Sequence, residues 1–153
     1  MIKLLEILRM IGSGLGIFLG YYYGDTPEEI LRIMNPWLIG SIAGLSGIEG
    51  LFFGKAAAKE KGFEQGSNYQ RQSAFAFLTI GIISLLVYFA GWDTYANLTI
   101  VLTFLLLLTL SAINHTYSIF AEKNMKWQNM IRPFLTILLI LAFWYPVTAI
   151  LFK

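Results

Sequence analysis

With 153 residues, 57% of them hydrophobic and only 13% charged, the chain is too apolar to cover itself with a water-soluble surface, on which charge would be about twice as frequent. Its 11 basic and 9 acidic side chains leave a net charge of +2, and no basic run interleaved with aromatics gives footing for a nucleic-acid partner. Cysteine is absent, which excludes thiol–disulfide chemistry and thiolate metal sites.

The hydropathy pattern predicts an all-α fold: a single polytopic membrane bundle of five transmembrane helices over about residues 4–23, 36–54, 73–92, 95–120 and 133–152. Each stretch comes near the roughly 20 apolar residues that cross a hydrocarbon core. The first reads as a retained span, since it lacks the small-residue cleavage site of a signal peptide. It carries Gly12, Gly16, Gly20 and Gly24 at a four-residue spacing. Such a stripe serves close packing on a neighbouring helix or self-association. Glu6 stands three residues before Arg9, a spacing at which the two can pair.

Thr26, Pro27 and Glu29 then form a capping-box pattern. They predict a short outer interfacial helix that ends at Asn35-Pro36, with Ile30, Leu31, Ile33 and Met34 turned to lipid or to the helix tops. In the second span, Gly40, Gly44, Gly47 and Gly54 share a face and Glu49 points nearly opposite. Lys55–Lys61 reads as a cytoplasmic extension of that span, followed by a turn over residues 62–66. Gly91–Thr94 makes a tight hairpin between the third and fourth spans, and Pro146 kinks the last one and frees a carbonyl. Trp37, Trp92, Tyr95, Trp144 and Tyr145 gather at the predicted outer ends as an interfacial belt. Counting Lys and Arg near the span ends puts the amino terminus in the cytoplasm and the carboxyl terminus outside.

Two ionisable groups fall inside predicted spans at matching depth from the inner side. Glu49 lies about 9 Å before the end of the second span, and His115, the sole histidine, lies similarly before Glu122. Ser111, Asn114, His115 and Ser118 make a polar stripe on the fourth span. Asn68, Gln70, Arg71 and Gln72 open the third. These residues predict an inner-facing polar vestibule, capped by Asn124, Trp127, Gln128 and Arg132. Glu49 and His115 would form either a proton-handling pair or a hydrogen bond that locks two helices. One histidine without cysteine or a Glu-x-x-His pair supplies no metal site, and no cofactor is expected. Gly54-Lys55 lacks both the first glycine and the Ser or Thr of a phosphate loop, and Ser13 and Ser46 lack the nucleophile elbow.

Gly47-Ile48-Glu49-Gly50-Leu51, Ser67 to Gln70 with Ala76, Leu78 and Gly81, and His115 with Tyr117 carry a resemblance. Over Gly47 to Pro133 the chain resembles an uncharacterised family of small bacterial integral membrane proteins, a domain of unknown function. The resemblance implies a compact bundle in a bacterial inner membrane. The chain departs from it in having Lys55 where a histidine and Gln72 where a carboxylate would stand. The leading expectation is passage of a proton, ion or small solute through the vestibule, in a homo-oligomer joined by the glycine faces of the first two spans. The lipid bilayer is the partner expected, together with further copies of the chain. A non-catalytic scaffold and a membrane-embedded enzyme acting on lipid or quinone are the alternatives.

Overall fold

A computed structural model describes residues 1–153 and contains helices and no strands. Helix α1 (Ile2–Tyr23) and helix α2 (Pro27–Ile39) pair as a hairpin across a three-residue turn. Thr26 closes the turn by accepting a hydrogen bond from Glu29 N at 3.3 Å, while Glu29 Oε2 accepts one from Asp25 N at 3.0 Å. The capping box is thus present, with its return bond made one residue early.

The outer interfacial helix is corrected. α2 does not stop at Asn35-Pro36 but runs through Pro36, continues as a π-helical segment (Gly40–Gly44) and passes into α3 (Leu45–Phe52). Its first half is the centre of the molecule: Leu31, Met34, Leu38 and Ile39 are wholly buried, against Val101, Phe104 and Phe143. Burial of four such side chains, each contributing about 1.5–3 kcal/mol, outweighs the roughly 3 kcal/mol that an internal proline costs.

A second correction follows at Phe53. Helix α4 (Gly54–Lys61) does not extend the span; it departs at 105° to the helix before it. Gly62 ends α4 at φ +75°, where Phe63 N reaches Ala58 O at 2.9 Å and Gly62 N reaches Lys59 O at 3.3 Å, a Schellman closure that a side chain would strain. Ala57, Ala58 and Lys61 of α4 are buried beneath the bundle.

Helices α5 (Asn68–Phe89), α6 (Thr94–Phe120) and α7 (Trp127–Leu151) follow, the first two capped by Ser67 and Asp93. Each is long and apolar enough to cross a membrane, and the bent Pro27–Lys61 unit makes a fourth candidate. Their outer faces are oily: Leu106, Ile113, Ile137 and Leu141 are all more than half exposed, as is Phe18 of α1. Water tolerates such a continuous apolar surface poorly.

Three contacts tie the end of the bundle that holds Tyr23 and Asp93. Asn35 Nδ2 donates to Asn97 Oδ1 at 2.8 Å and Ser84 Oγ donates to Asn35 Oδ1 at 2.8 Å, a buried polar knot joining α2, α5 and α6 that the sequence reading missed. Tyr21 Oη donates at 2.9 Å to Ala142 O, the carbonyl that Pro146 leaves without a helical partner four residues on. Tyr21→Phe is therefore expected to cost about 0.5–1.5 kcal/mol in reversible unfolding, with the helix content unchanged. An equal stability would mean that water satisfies that carbonyl. Lys153 meets Glu28 at 2.7 Å, and this partner raises the pKa of its ammonium above the ordinary lysine value.

The glycine stripes are spent inside the chain. A Cβ on Gly12, Gly16, Gly20 or Gly24 would fall within 2.8 Å of Ser41, Leu38, Met34 or Ile30, so the α1 stripe is the seat of α2. Gly47 is filled by Leu78 of α5, Gly81 of α5 lies on the backbone of Gly44, and Gly40 faces Leu85 of α5. Of the two uses expected of the α1 stripe, the structure shows close packing on a neighbouring helix, while Gly44 of the second span meets nothing within 4 Å.

Candidate functional site

Three helices deliver charge to one buried point. The α1–α2 seat aims Arg9 from the second turn of α1 toward α3, and the elbow at Phe53 folds α4 back so that its last residue, Lys61, returns to the same place. Between them stands Glu49 of α3, 3% exposed. Its Oε2 accepts from Arg9 Nη2 at 3.0 Å and from Lys61 Nζ at 2.5 Å. Arg9 Nη2 also reaches Leu45 O at 3.2 Å, so Arg9 does not pair with Glu6 as its spacing predicted. Glu49 Oε1 and Arg9 Nε, one acceptor and one donor, have no protein partner.

A second group assembles on α6 and α7. His115 Nδ1 lies 2.6 Å from Asn129 Oδ1, and Arg132 Nη1 lies 3.3 Å from His115 Nε2. Because Asn129 Nδ2 donates to Asn124 O at 2.9 Å, its Oδ1 is the acceptor. The imidazole then carries its proton on Nδ1 and offers the Nε2 lone pair to Arg132. The Phe63 ring, 5.6 Å from the imidazole centre, lies against it.

The two groups are connected without touching. Asn124 Nδ2 donates to Lys61 O at 3.0 Å, so the path runs from Glu49 through Lys61, Asn124 and Asn129 to His115. Arg132 belongs to the second group, where it reaches Gln128 O at 3.1 Å and His115 Nε2 at 3.3 Å. Two cations thus meet on one buried carboxylate. Such a carboxylate is costly to desolvate, and only this pairing makes its ionised form tolerable.

The predicted vestibule is redistributed. Glu49 and His115 share one end of the bundle but do not bond to each other. Ser111 is half-buried, while Asn114 is exposed and makes no side-chain hydrogen bond, which removes it from the polar stripe. Asn68, Arg71 and Gln72 are exposed at the start of α5, which packs on the Gly47 and Gly50 face of α3, away from Glu49. Gln70 bonds Gly54 O rather than the buried cluster. Of the cap, Asn124, Gln128 and Arg132 converge, with Gln128 Nε2 3.4 Å from Glu60 Oε1, whereas Trp127 is exposed. Arg9 and Lys61 are the members that sequence reasoning missed. One signal for Arg9 was available: an arginine seven residues into an apolar helix demands a carboxylate, and Glu49 is the matching one.

No group of three or more His, Cys, Asp or Glu side chains is placed to hold a metal ion. No curated protein and no solved structure matches the chain. A family model covers residues 4–151, well beyond the Gly47–Pro133 stretch that carried the resemblance, and the chain belongs to that family, the family of unknown function DUF6790.

Proposed function

We propose that the chain crosses a bacterial inner membrane five times, with the amino terminus cytoplasmic and the carboxyl terminus outside, and that it passes a proton or small ion through the buried polar array at the cytoplasmic end. Support for the orientation comes from charge. Lys55, Lys59, Lys61, Arg71, Lys123 and Lys126 lie at the Glu49 end of the bundle, against Arg32 and Lys153 at the other. α1, at 22 residues, has the length for the fifth crossing.

The observation that carries the reading is the state of Glu49. One carboxylate oxygen bears two cations while the other, fully buried, is unpartnered beside an unpartnered Arg9 Nε. This buried, doubly paired carboxylate stands next to a broken span of the kind that lines ion sites in transporters. Copies of the chain that join to complete a path have the exposed faces of α5 to α7 for the purpose.

The test is proton and ion flux in liposomes, read with an internal pH dye, for the parent, Glu49→Gln and His115→Ala. The parent is expected to conduct, and each folded variant to lose at least about tenfold, equivalent to about 1.4 kcal/mol. An inert parent, or variants that conduct normally, would leave the scaffold reading in its place.

A further inference from the structure

The elbow that carries Lys61 to Glu49 also opens a cleft on its outer side, about 790 Å³ in volume, between the end of α3, the start of α4 and the first turn of α5. Its walls are fixed. Gln70 Nε2 donates to Gly54 O at 2.5 Å and Gln70 Oε1 accepts from Gly66 N at 3.3 Å, so one side chain clamps both rims. The Lys55 stem passes over Gly66, where a Cβ would meet its Cε at 3.3 Å.

Lys55 and Arg71 line this cleft, and no carboxylate does. Neither forms an ion pair, in contrast to Arg9, Lys61 and Lys153, each of which has its carboxylate. Lys55 Nζ has no hydrogen-bond partner, and Arg71 spends only Nη2, on Asn68 Oδ1 at 2.8 Å. Beside the cations lies an apolar lip. Phe52 is 75% exposed, and Phe75, one helical turn beyond Arg71 on the same face, is 54% exposed. Two uncompensated cations in a clamped pocket, next to bare aromatic surface at the end of a span, fit a ligand that is anionic at one end and oily at the other.

We propose that the cleft seats the phosphodiester headgroup of an anionic phospholipid from the Lys- and Arg-rich leaflet. Lys55 and Arg71 hold the phosphate oxygens, Arg71 through its free N–H groups, and Phe52 and Phe75 flank the first part of an acyl chain. This site is separate from the Glu49 array and requires only that the chain span a membrane; it stands or falls independently of any flux.

The experiment compares lipid retention by native mass spectrometry of the full chain released from nanodiscs of equal phosphatidylglycerol and phosphatidylcholine. The parent is expected to retain phosphatidylglycerol preferentially, and Lys55→Gln and Arg71→Gln each to lower that preference roughly fivefold. Both side chains are exposed, so the variants should fold, and circular dichroism checks it. Lys59→Gln and Lys126→Gln, exposed cations outside the cleft, should leave the preference unchanged. Equal retention of the two lipids by the parent, or equal losses in the Lys59 and Lys126 controls, would overturn the proposal. So would full displacement by millimolar inorganic phosphate, which would make the cleft a site for the free anion.

Discussion

Glu49→Ala is expected to destabilise the folded bundle by about 3–5 kcal/mol, because it leaves Arg9 and Lys61 buried together with no counter-charge. Hydrogen bonds between spans average less than about 1 kcal/mol, so the unpaired charge rather than the lost bonds sets the size of the effect. The decisive companion is the triple substitution Arg9→Met, Glu49→Leu, Lys61→Met. Replacing a whole buried ionic cluster by apolar side chains of similar volume is commonly neutral or stabilising by about 1–4 kcal/mol. The triple variant should therefore recover the stability that the single one loses. Reversible unfolding in mild detergent against rising dodecyl sulfate reads both. A single variant within about 1 kcal/mol of the parent would mean that water reaches the cluster and relieves it. The same triple variant separates function from architecture: a stable but non-conducting protein means that the charges are kept for passage, and a stable conducting one removes them from it.

What the sequence revealed and what it hid differ by the range of the interaction. Helix existence is local: the apolar stretches of α1, α5, α6 and α7, the Thr26 cap and the hairpin at Gly91 are written in consecutive residues, and they are helical or turn where expected. Pro36 misled because its local preference for ending a helix is real, yet the burial of Leu31 and Leu38 on either side decides the matter through contacts with α6 and α7. The elbow at Phe53 was hidden for a related reason. Gly54 and the alanines of α4 suit a helix in any direction, and the contacts that accompany the 105° turn are long-range: Lys61 on Glu49, Gln70 on Gly54 O, and Ala57 and Ala58 buried beneath the bundle. Matching depth put Glu49 and His115 at one end of the bundle, but depth carries no azimuth. Asn114, one residue from His115, turns about 100° away to the exposed face, and α5 presents its polar start on the far side of α3.

Gly81→Ala is expected to cost about 1–3 kcal/mol, and Gly44→Ala almost nothing, although these two glycines touch. A Cβ on Gly81 would lie 2.8 Å from both Cα and N of Gly44, atoms of a backbone that cannot rotate aside. A Cβ on Gly44 meets no atom within 4 Å, because it leaves the π segment in another direction. Alanine is also favoured over glycine in a helix by about 1 kcal/mol, which can bring Gly44→Ala to neutral or slightly stabilising. The damage from Gly81→Ala should spread one turn along α5 to Ser84, whose bond to Asn35 at 2.8 Å depends on the same close approach of α5 to the second span. Loss of amide-exchange protection at the Asn35 end of α2 in Gly81→Ala, and its retention in Gly44→Ala, would show that propagation directly. Equal stabilities for the two variants would contradict the close backbone crossing, since any looser approach of α5 would leave room for a methyl group on either side.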